Sequence, residues 1–373
     1  MRKKLGLIVN PIAGIGGRVG LKGSDGPQIL KMALAMGAFP ESPRRTQEAL
    51  KRLRPAKGDI EIVTWPGSMG EQAAVVSGFI PTVMAAVLTE HTTPEDTEEA
   101  ARTISTYGVD LLMFAGGDGT ARNIFNAIGD AIPVLGIPAG VKIHSAVYAN
   151  SPGSAGRLAL NFLKSKGKRH VKDAEVMDID EDAFRENRLS ARLYGYLKVP
   201  YERSLIQSAK AGSQSNEEVA MDAIASDIIT NMTDEHIYII GSGTTTRAVM
   251  NKLGLPNTLL GIDAVFNKQL VGSDLNESRI LELLKNRKGK IVVTVIGGQG
   301  HIFGRGNQQI SPPVIQRVGK ENIIVVATEN KLLGLNGQPL LVDTGDPGVN
   351  QMLRGYAKVV VGLHKRIVYR VSY

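Results

Sequence analysis

The chain has 373 residues, 43% hydrophobic and 21% charged, and its lack of cysteine excludes disulfides, thiolate metal sites and cysteine nucleophiles. Its length exceeds the roughly 250–300 residues at which a single core stops growing, so two domains are expected. The net charge of +8 is spread along the chain, and aromatics, at 5%, do not interleave with it as base stacking requires, so an anionic small molecule is the expected partner and nucleic acid is not.

The N-terminus is basic, but its apolar run, Leu5 to Val9, stops at Asn10-Pro11. It reads as a first β-strand rather than a signal peptide, and no run approaches the ~18 apolar residues of a membrane span. A cytoplasmic protein with no membrane partner is expected. A glycine-rich loop follows, with Gly14, Gly16 and Gly17 near its start. Such a loop is either an ordinary turn or a place where phosphate or ribose touches main chain. Its spacing does not fit the G-x-G-x-x-G dinucleotide fingerprint, and the chain has no Walker A sequence.

Helical spacing is predicted over Gln28 to Met36 and Thr46 to Leu53, the latter entered at Ser42-Pro43. A strand is predicted over Ile60 to Thr64, then a turn with Ser68 as candidate N-cap of the next helix. Residues 94–107 form an acidic-start helix capped by Thr93. A short apolar run from Asp110 to Ala115 precedes Gly116-Gly117-Asp118-Gly119-Thr120, and helical spacing resumes at Ala121 to Ile128. Three glycines around one carboxylate let the backbone turn tightly and approach a ligand closely. Thr120 and the free N–H groups of the helix start are a natural seat for phosphate. Asp118 reads as a general base taking the proton of an attacking hydroxyl, or as a magnesium ligand, both suited to phosphoryl transfer.

The strand Val134 to Ile137 leads into Gly136 to Ala149, where Lys142 can pair with phosphate oxygens as a point charge. His144 reads there as a hydrogen-bonding loop residue rather than a base. Strands alternating with helices predict a doubly wound parallel sheet, with ligands at the carboxyl ends of its strands. The texture changes near Lys166, which places the domains at 1–165 and 166–373, the second a mixed α/β domain. Glu175 to Ile179 and Tyr194 to Val199 read as strands, and Glu202 to Glu217 as a loop or the start of a helix through Met232.

A second alternating section begins at strand His236 to Ile240, with a turn at Gly241-Ser242-Gly243 and a helix from Thr246. Gly243, Thr244 and Thr245 crowd that helix start, which suits anion binding or simple capping by Thr245 or Thr246. Asp274 and Glu277 fit a capping box before Ile280 to Leu284. Ile291 to Ile296 and Ile323 to Ala327 are further strands, and Ala357 to Gly362 with Arg366 to Tyr373 form a terminal pair. Arg305, between two glycines, is a candidate phosphate or carboxylate partner. Asp343 and Asp346 around a turn fit either metal binding or a structural role.

Asn10-Pro11, Gly116 to Thr120 and Gly136 to Ser145, each after a strand, make the N-terminal half resemble the NAD kinase and diacylglycerol kinase superfamily, whose hallmark is GGDGT. Through Val9 to Gly17, Leu21 to Gly26, Pro138 to Lys142, Gly241 to Thr245, Gly304 to Pro312 and Asp343 to Asp346, the whole chain is similar to the polyphosphate/ATP-NAD kinase branch that includes proteins associated with acetoin catabolism. The resemblance implies phosphoryl transfer from ATP or polyphosphate, with Mg2+, to a hydroxyl of a small acceptor. NAD, phosphorylated on a ribose hydroxyl toward NADP biosynthesis, is the expected acceptor.

Carried over, Asp118 would be the base, Gly116, Gly117, Gly119 and Thr120 would hold phosphate groups, and Asn10 would sit at the same cleft. Gly14, Gly16, Gly17, Asn123, Lys142, Gly243, Thr244, Thr245 and Arg305 are the further nucleotide- or phosphate-binding candidates of the chain. Metal ligands stay unassigned, and a homo-oligomer is expected. A non-catalytic nucleotide or sugar-phosphate binding protein, or a kinase of another acceptor, is the alternative. Two departures stand out. The Asn-Glu pair that NAD kinases carry after GGDG is found here only as Asn216-Glu217 and Asn276-Glu277, both placed differently. The second half also reads as α/β, whereas an all-β domain is implied.

Overall fold

A computed structural model of the chain describes residues 2–21, 27–85, 92–141, 143–165, 170–179, 191–202 and 217–373. They fall into two compact units. The first comprises Met1–Ile15, Gly23–Leu34 and Phe39–Ala209; the second comprises Gly16–Lys22, Ala35–Ala38 and Lys210–Tyr373. The boundary expected at 165/166 lies inside the first unit, which also gives up a short N-terminal segment to the second.

The first unit is built on β1 (Lys3–Val9), β2 (Ile60–Thr64), β3 (Thr82–Val83), β4 (Leu111–Gly116) and β5 (Val134–Pro138), in the order β3-β2-β1-β4-β5 with every pair parallel. Strands covered on both faces need apolar residues at successive positions, and β4, LLMFAG, is buried at all of them. Its helices are α1 (Pro27–Ala35), α2 (Ser42–Lys51), α3 (Glu71–Val76), α4 (Pro94–Thr106), α5 (Asp118–Ile128) and α6 (Pro152–Lys164). Packing pairs α2 with α6 and α4 with α5 against the sheet, which gives the predicted doubly wound architecture.

Thr93 caps α4 through a reciprocal box with Asp96. The expected cap at Ser68 is replaced: residues Gly67–Met69 make a single tight turn, and Gly70, at φ 146°, is the N-cap of α3. Helix α5 begins at Asp118 itself, earlier than the periodicity from Ala121 suggests. An antiparallel pair, β6 (Val171–Ile179) and β7 (Ala191–Pro200), buries Ala174, Val176, Leu197 and Val199 in the same core as the parallel sheet.

The second unit contains α7 (Glu217–Thr230), β8 (His236–Ile240), α8 (Thr244–Lys252), β9 (Asp263–Phe266), β10 (Gln269–Gly272), α9 (Glu277–Leu284), β11 (Lys288–Thr294), β12 (His301–Phe303), α10 (Pro312–Val318), β13 (Ile323–Val326), α11 (Glu329–Leu333), β14 (Leu340–Val342), α12 (Pro347–Leu353), β15 (Gly355–Gly362) and β16 (Lys365–Ser372). Its nine strands lie in the order β10-β9-β8-β11-β13-β15-β16-β14-β12. The centre, β8-β11-β13-β15, is parallel, while β9 and β16 run antiparallel to neighbours. A mixed α/β second domain is therefore what the chain forms. Most of the Glu202 to Glu217 stretch lies outside the described residues; the helix begins at Glu217.

Candidate functional site

In the first sheet the winding direction reverses between β1 and β4, the place where doubly wound folds open a crevice at the carboxyl ends of their strands. Register aligns those ends: Val9 lies opposite Ala115, and Gly116 opposite Pro138. Three loops, after β1, β4 and β5, thus emerge side by side.

Asn10 ties them together. Its N–H donates to the Ala115 carbonyl at 2.9 Å, its Oδ1 accepts from Ile12 N–H at 3.2 Å, and its Nδ2 donates to Thr120 Oγ1 at 3.1 Å. Its carbonyl accepts the Ser42 hydroxyl at 2.6 Å, fixing the start of α2. Gly14 has φ +83°, and a Cβ there would fall 2.3 Å from the Ala139 carbonyl oxygen, so only glycine suits the position. The buried Arg45 donates to the Pro138 carbonyl at 3.1 Å. The Gly116 carbonyl accepts from Ala139 and Gly140 N–H at 3.0 and 2.9 Å, locking the β5 loop to the β4 turn.

Glycine is required at 116 for a packing reason: a Cβ would sit 2.3 Å from Thr120 Oγ1. Thr120 is therefore buried against the turn, with its hydroxyl engaged by Asn10. Helical bonding in α5 starts with Ala121 N–H to the Gly117 carbonyl, so the N–H groups of Asp118, Gly119 and Thr120 precede the ladder and form the positive end of the helix dipole. A Cβ on Gly119 would meet nothing within 4 Å among the described residues. Gly119 is the open wall of this turn.

Asp118, only 7% exposed, is held from the loop after β5. Oδ2 accepts from His144 N–H at 2.7 Å and lies 3.2 Å from His144 Nδ1, and Oδ1 accepts from Ser145 N–H at 3.0 Å. A carboxylate has about four acceptor directions. Both on Oδ2 are taken, and one on Oδ1 is left. Ser145 is itself anchored: its hydroxyl donates to the Met177 carbonyl at 2.8 Å and accepts from Met177 N–H at 3.0 Å, on β6. Tyr148, fully buried and edge-on to Phe114, donates its hydroxyl to the Gly117 carbonyl at 2.6 Å.

Of the residues expected from sequence, the first unit gathers Asn10, Gly14, Gly116, Gly117, Asp118, Gly119 and Thr120 around one turn, with Asn123 half-buried farther along α5. Lys142 lies outside the described residues. Gly16 and Gly17 belong to the segment counted with the second unit, where a Cβ on Gly17 would lie 3.3 Å from Gln308 Cβ.

Gly243, Thr244, Thr245 and Arg305 are also in the second unit. Gly243 is the N-cap of α8 without a side-chain cap, which replaces the alternative of capping by Thr245 or Thr246. Thr246 Oγ1 donates back to the Gly243 carbonyl, and buried Thr245 accepts from Lys331 Nζ at 2.8 Å. Thr244 is exposed at the helix start. Arg305 is buried with Asp343, Nη2 to Oδ2 being 3.9 Å, which favours its carboxylate-partner reading. Asp346 caps α12 through Val349 N–H, a structural role.

The Asn276-Glu277 pair is also structural. Asn276 caps α9 by accepting from Arg279 N–H at 3.1 Å, and Glu277 Oε1 accepts the Ser311 hydroxyl. The cap expected at Asp274 thus falls two residues later, because Asp274 stands at φ 48° with its N–H donated to Asp263.

Sequence reasoning missed Ser145, Tyr148 and Arg45, whose hydroxyl or guanidinium groups bond main-chain atoms distant in sequence and leave no motif. Among the described residues no cluster of three or more His, Asp or Glu could cage a metal.

Residues 5–166 match the family model of the ATP-NAD kinase N-terminal domain, and residues 233–371 match that of the ATP-NAD kinase C-terminal domain. The chain belongs to the ATP-NAD kinase family, a family of small-molecule phosphotransferases. No curated protein matches the chain significantly. Among solved structures, a protein assigned as a diacylglycerol kinase from Bacillus anthracis str. Sterne is 17% identical over 48% of this chain and 46% of that one, with a TM-score of 0.26. Another diacylglycerol kinase structure from the same organism is 18% identical over 48% of each chain, at a TM-score of 0.25. The match thus spans less than half the length of these structures.

Proposed function

We propose that the protein transfers the terminal phosphoryl group of ATP, or of polyphosphate, to a hydroxyl of a small nucleotide, NAD being the first acceptor to test. The observation that carries this reading is the carboxylate of Asp118 held at the first turn of α5, at the sheet's reversal point. Phosphate oxygens would seat on the N–H groups of Asp118, Gly119 and Thr120, where the helix dipole favours anions. Asp118, directly or through the imidazole it holds, would serve the acceptor hydroxyl as base. Positioning and charge stabilisation account for most of phosphoryl-transfer catalysis, and a seat of this kind offers both. Magnesium would enter on the phosphates of the donor.

The test is a transfer assay with labelled ATP or polyphosphate against NAD, NADH and simple nucleosides, run on the wild type and Asp118→Asn. The wild type is expected to phosphorylate one of these, and the variant to lose at least a hundredfold in kcat while remaining folded by circular dichroism. Full residual activity in a folded variant would remove Asp118 from the mechanism.

A further inference from the structure

Resting on the phosphotransfer reading, we infer that Asp118 acts through His144, and that Nε2 of His144 is the atom that takes the proton from the acceptor hydroxyl. Three donors converge on the Asp118 carboxylate: two backbone N–H groups and the imidazole, 3.2 Å from Oδ2 through Nδ1. An ionised carboxylate only accepts hydrogen bonds, so Nδ1 carries the hydrogen in the neutral ring, and the lone pair is left on Nε2. Nε2 lies on the opposite edge of the ring from Asp118 and has no hydrogen-bond partner among the described residues. The side chain of His144 is 18% exposed, against 7% for Asp118. An incoming hydroxyl therefore meets the imidazole edge more readily than the enclosed carboxylate.

A buried carboxylate that fixes the tautomer of an imidazole and stabilises the imidazolium formed is the division of labour of an orienting acid and a working base. Ser145 supports it by anchoring the loop: its N–H holds Asp118 Oδ1, and its hydroxyl is bonded to both polar backbone groups of Met177. In the step itself, a lone pair of the acceptor oxygen forms the new bond to the terminal phosphorus of a nucleoside triphosphate. The bond from that phosphorus to the bridging oxygen breaks, and its electron pair leaves with the nucleoside diphosphate. The hydroxyl proton moves to Nε2, the imidazolium is paired with Asp118, and the proton then passes to solvent.

The experiment compares His144→Gln and His144→Ala with the wild type in steady-state transfer, with and without added imidazole. Both variants keep the backbone N–H groups that hold Asp118, so melting temperatures are expected to stay close to that of the wild type. The expected result is a loss of about 10²–10⁴-fold in kcat with KM values within about threefold, and partial rescue of His144→Ala by imidazole. If both variants retain wild-type kcat while Asp118→Asn loses it, the proton goes to Asp118 directly and the inference is overturned. Absence of transfer by the wild type to any acceptor, water included, would remove the phosphotransfer reading and this catalytic step with it. Nitrogen-15 NMR of the imidazole tests the pair separately. A neutral ring protonated on Nδ1 supports it, and protonation on Nε2 overturns it whatever the activity.

Discussion

Asp118→Asn changes more than a charge. The carboxylate accepts backbone N–H groups on both oxygens, whereas an amide would turn its NH2 toward one of them. A donor opposed to a donor in a nearly buried setting costs about 1–3 kcal/mol, so a lower melting temperature should accompany the loss of transfer. Gly119 behaves in the opposite way. A Cβ there meets nothing among the described residues, and alanine is about 0.5–1 kcal/mol better than glycine inside a helix. Gly119→Ala is therefore expected to leave the melting temperature unchanged or slightly raised, while nucleotide affinity measured by calorimetry falls about tenfold or more. Unchanged affinity would argue that no phosphate approaches this wall. At this scale the sequence made the glycines and Asp118 legible, because a carboxylate among glycines after a strand has few packing uses. His144 was legible only as a loop residue, since its partner lies 26 positions away and no spacing rule connects them.

Among elements, those with strong periodicity were readable. The strand Ile60 to Thr64 is found over those residues, and the capped helix after Thr93 ends one residue short of the expectation. Short elements in the second unit, such as β9, β10, β12 and β14, were not, because three or four residues carry too little pattern to stand out. Caps were displaced where positive-φ residues intervened, as at Gly70 and Asp274.

One element is held by electrostatics. Asp227 on α7 is almost fully buried and accepts from Arg366 Nη2 at 2.6 Å, from Nη1 at 3.1 Å and from His364 N–H at 2.8 Å, which ties the β15–β16 hairpin to that helix. Arg366→Met should lower the unfolding free energy by about 1–3 kcal/mol, because a buried carboxylate loses its main partner. Lys252→Met, which breaks the exposed pair with Asp222, should change it by about 0.5 kcal/mol or less. Denaturant midpoints of the two variants that coincide would contradict the distinction.

For the whole molecule, the expectation of two domains followed from length. The boundary did not, because the change of texture at Lys166 marks a change of strand pairing rather than the end of a core. Strands β6 and β7 contribute Ala174, Val176, Leu197 and Val199 to the first core. A fragment of residues 1–165 is expected to be aggregation-prone or to melt well below a fragment of residues 1–209, as followed by solubility and circular dichroism. Equal stability would mean that the antiparallel pair is dispensable.

The segment after Ile15 has a consequence for biosynthesis. Arg18 accepts from Glu277 N–H through its carbonyl at 3.3 Å, and Gly17 lies against Gln308, about 290 residues farther along the chain. At roughly 5–20 residues per second, a ribosome takes about 15–60 s to make that partner. For that interval the stretch beside the Asn10 loop has no native place to rest. Nascent chains halted before residue 277 should therefore leave it open to protease, and chains released past residue 311 should protect it.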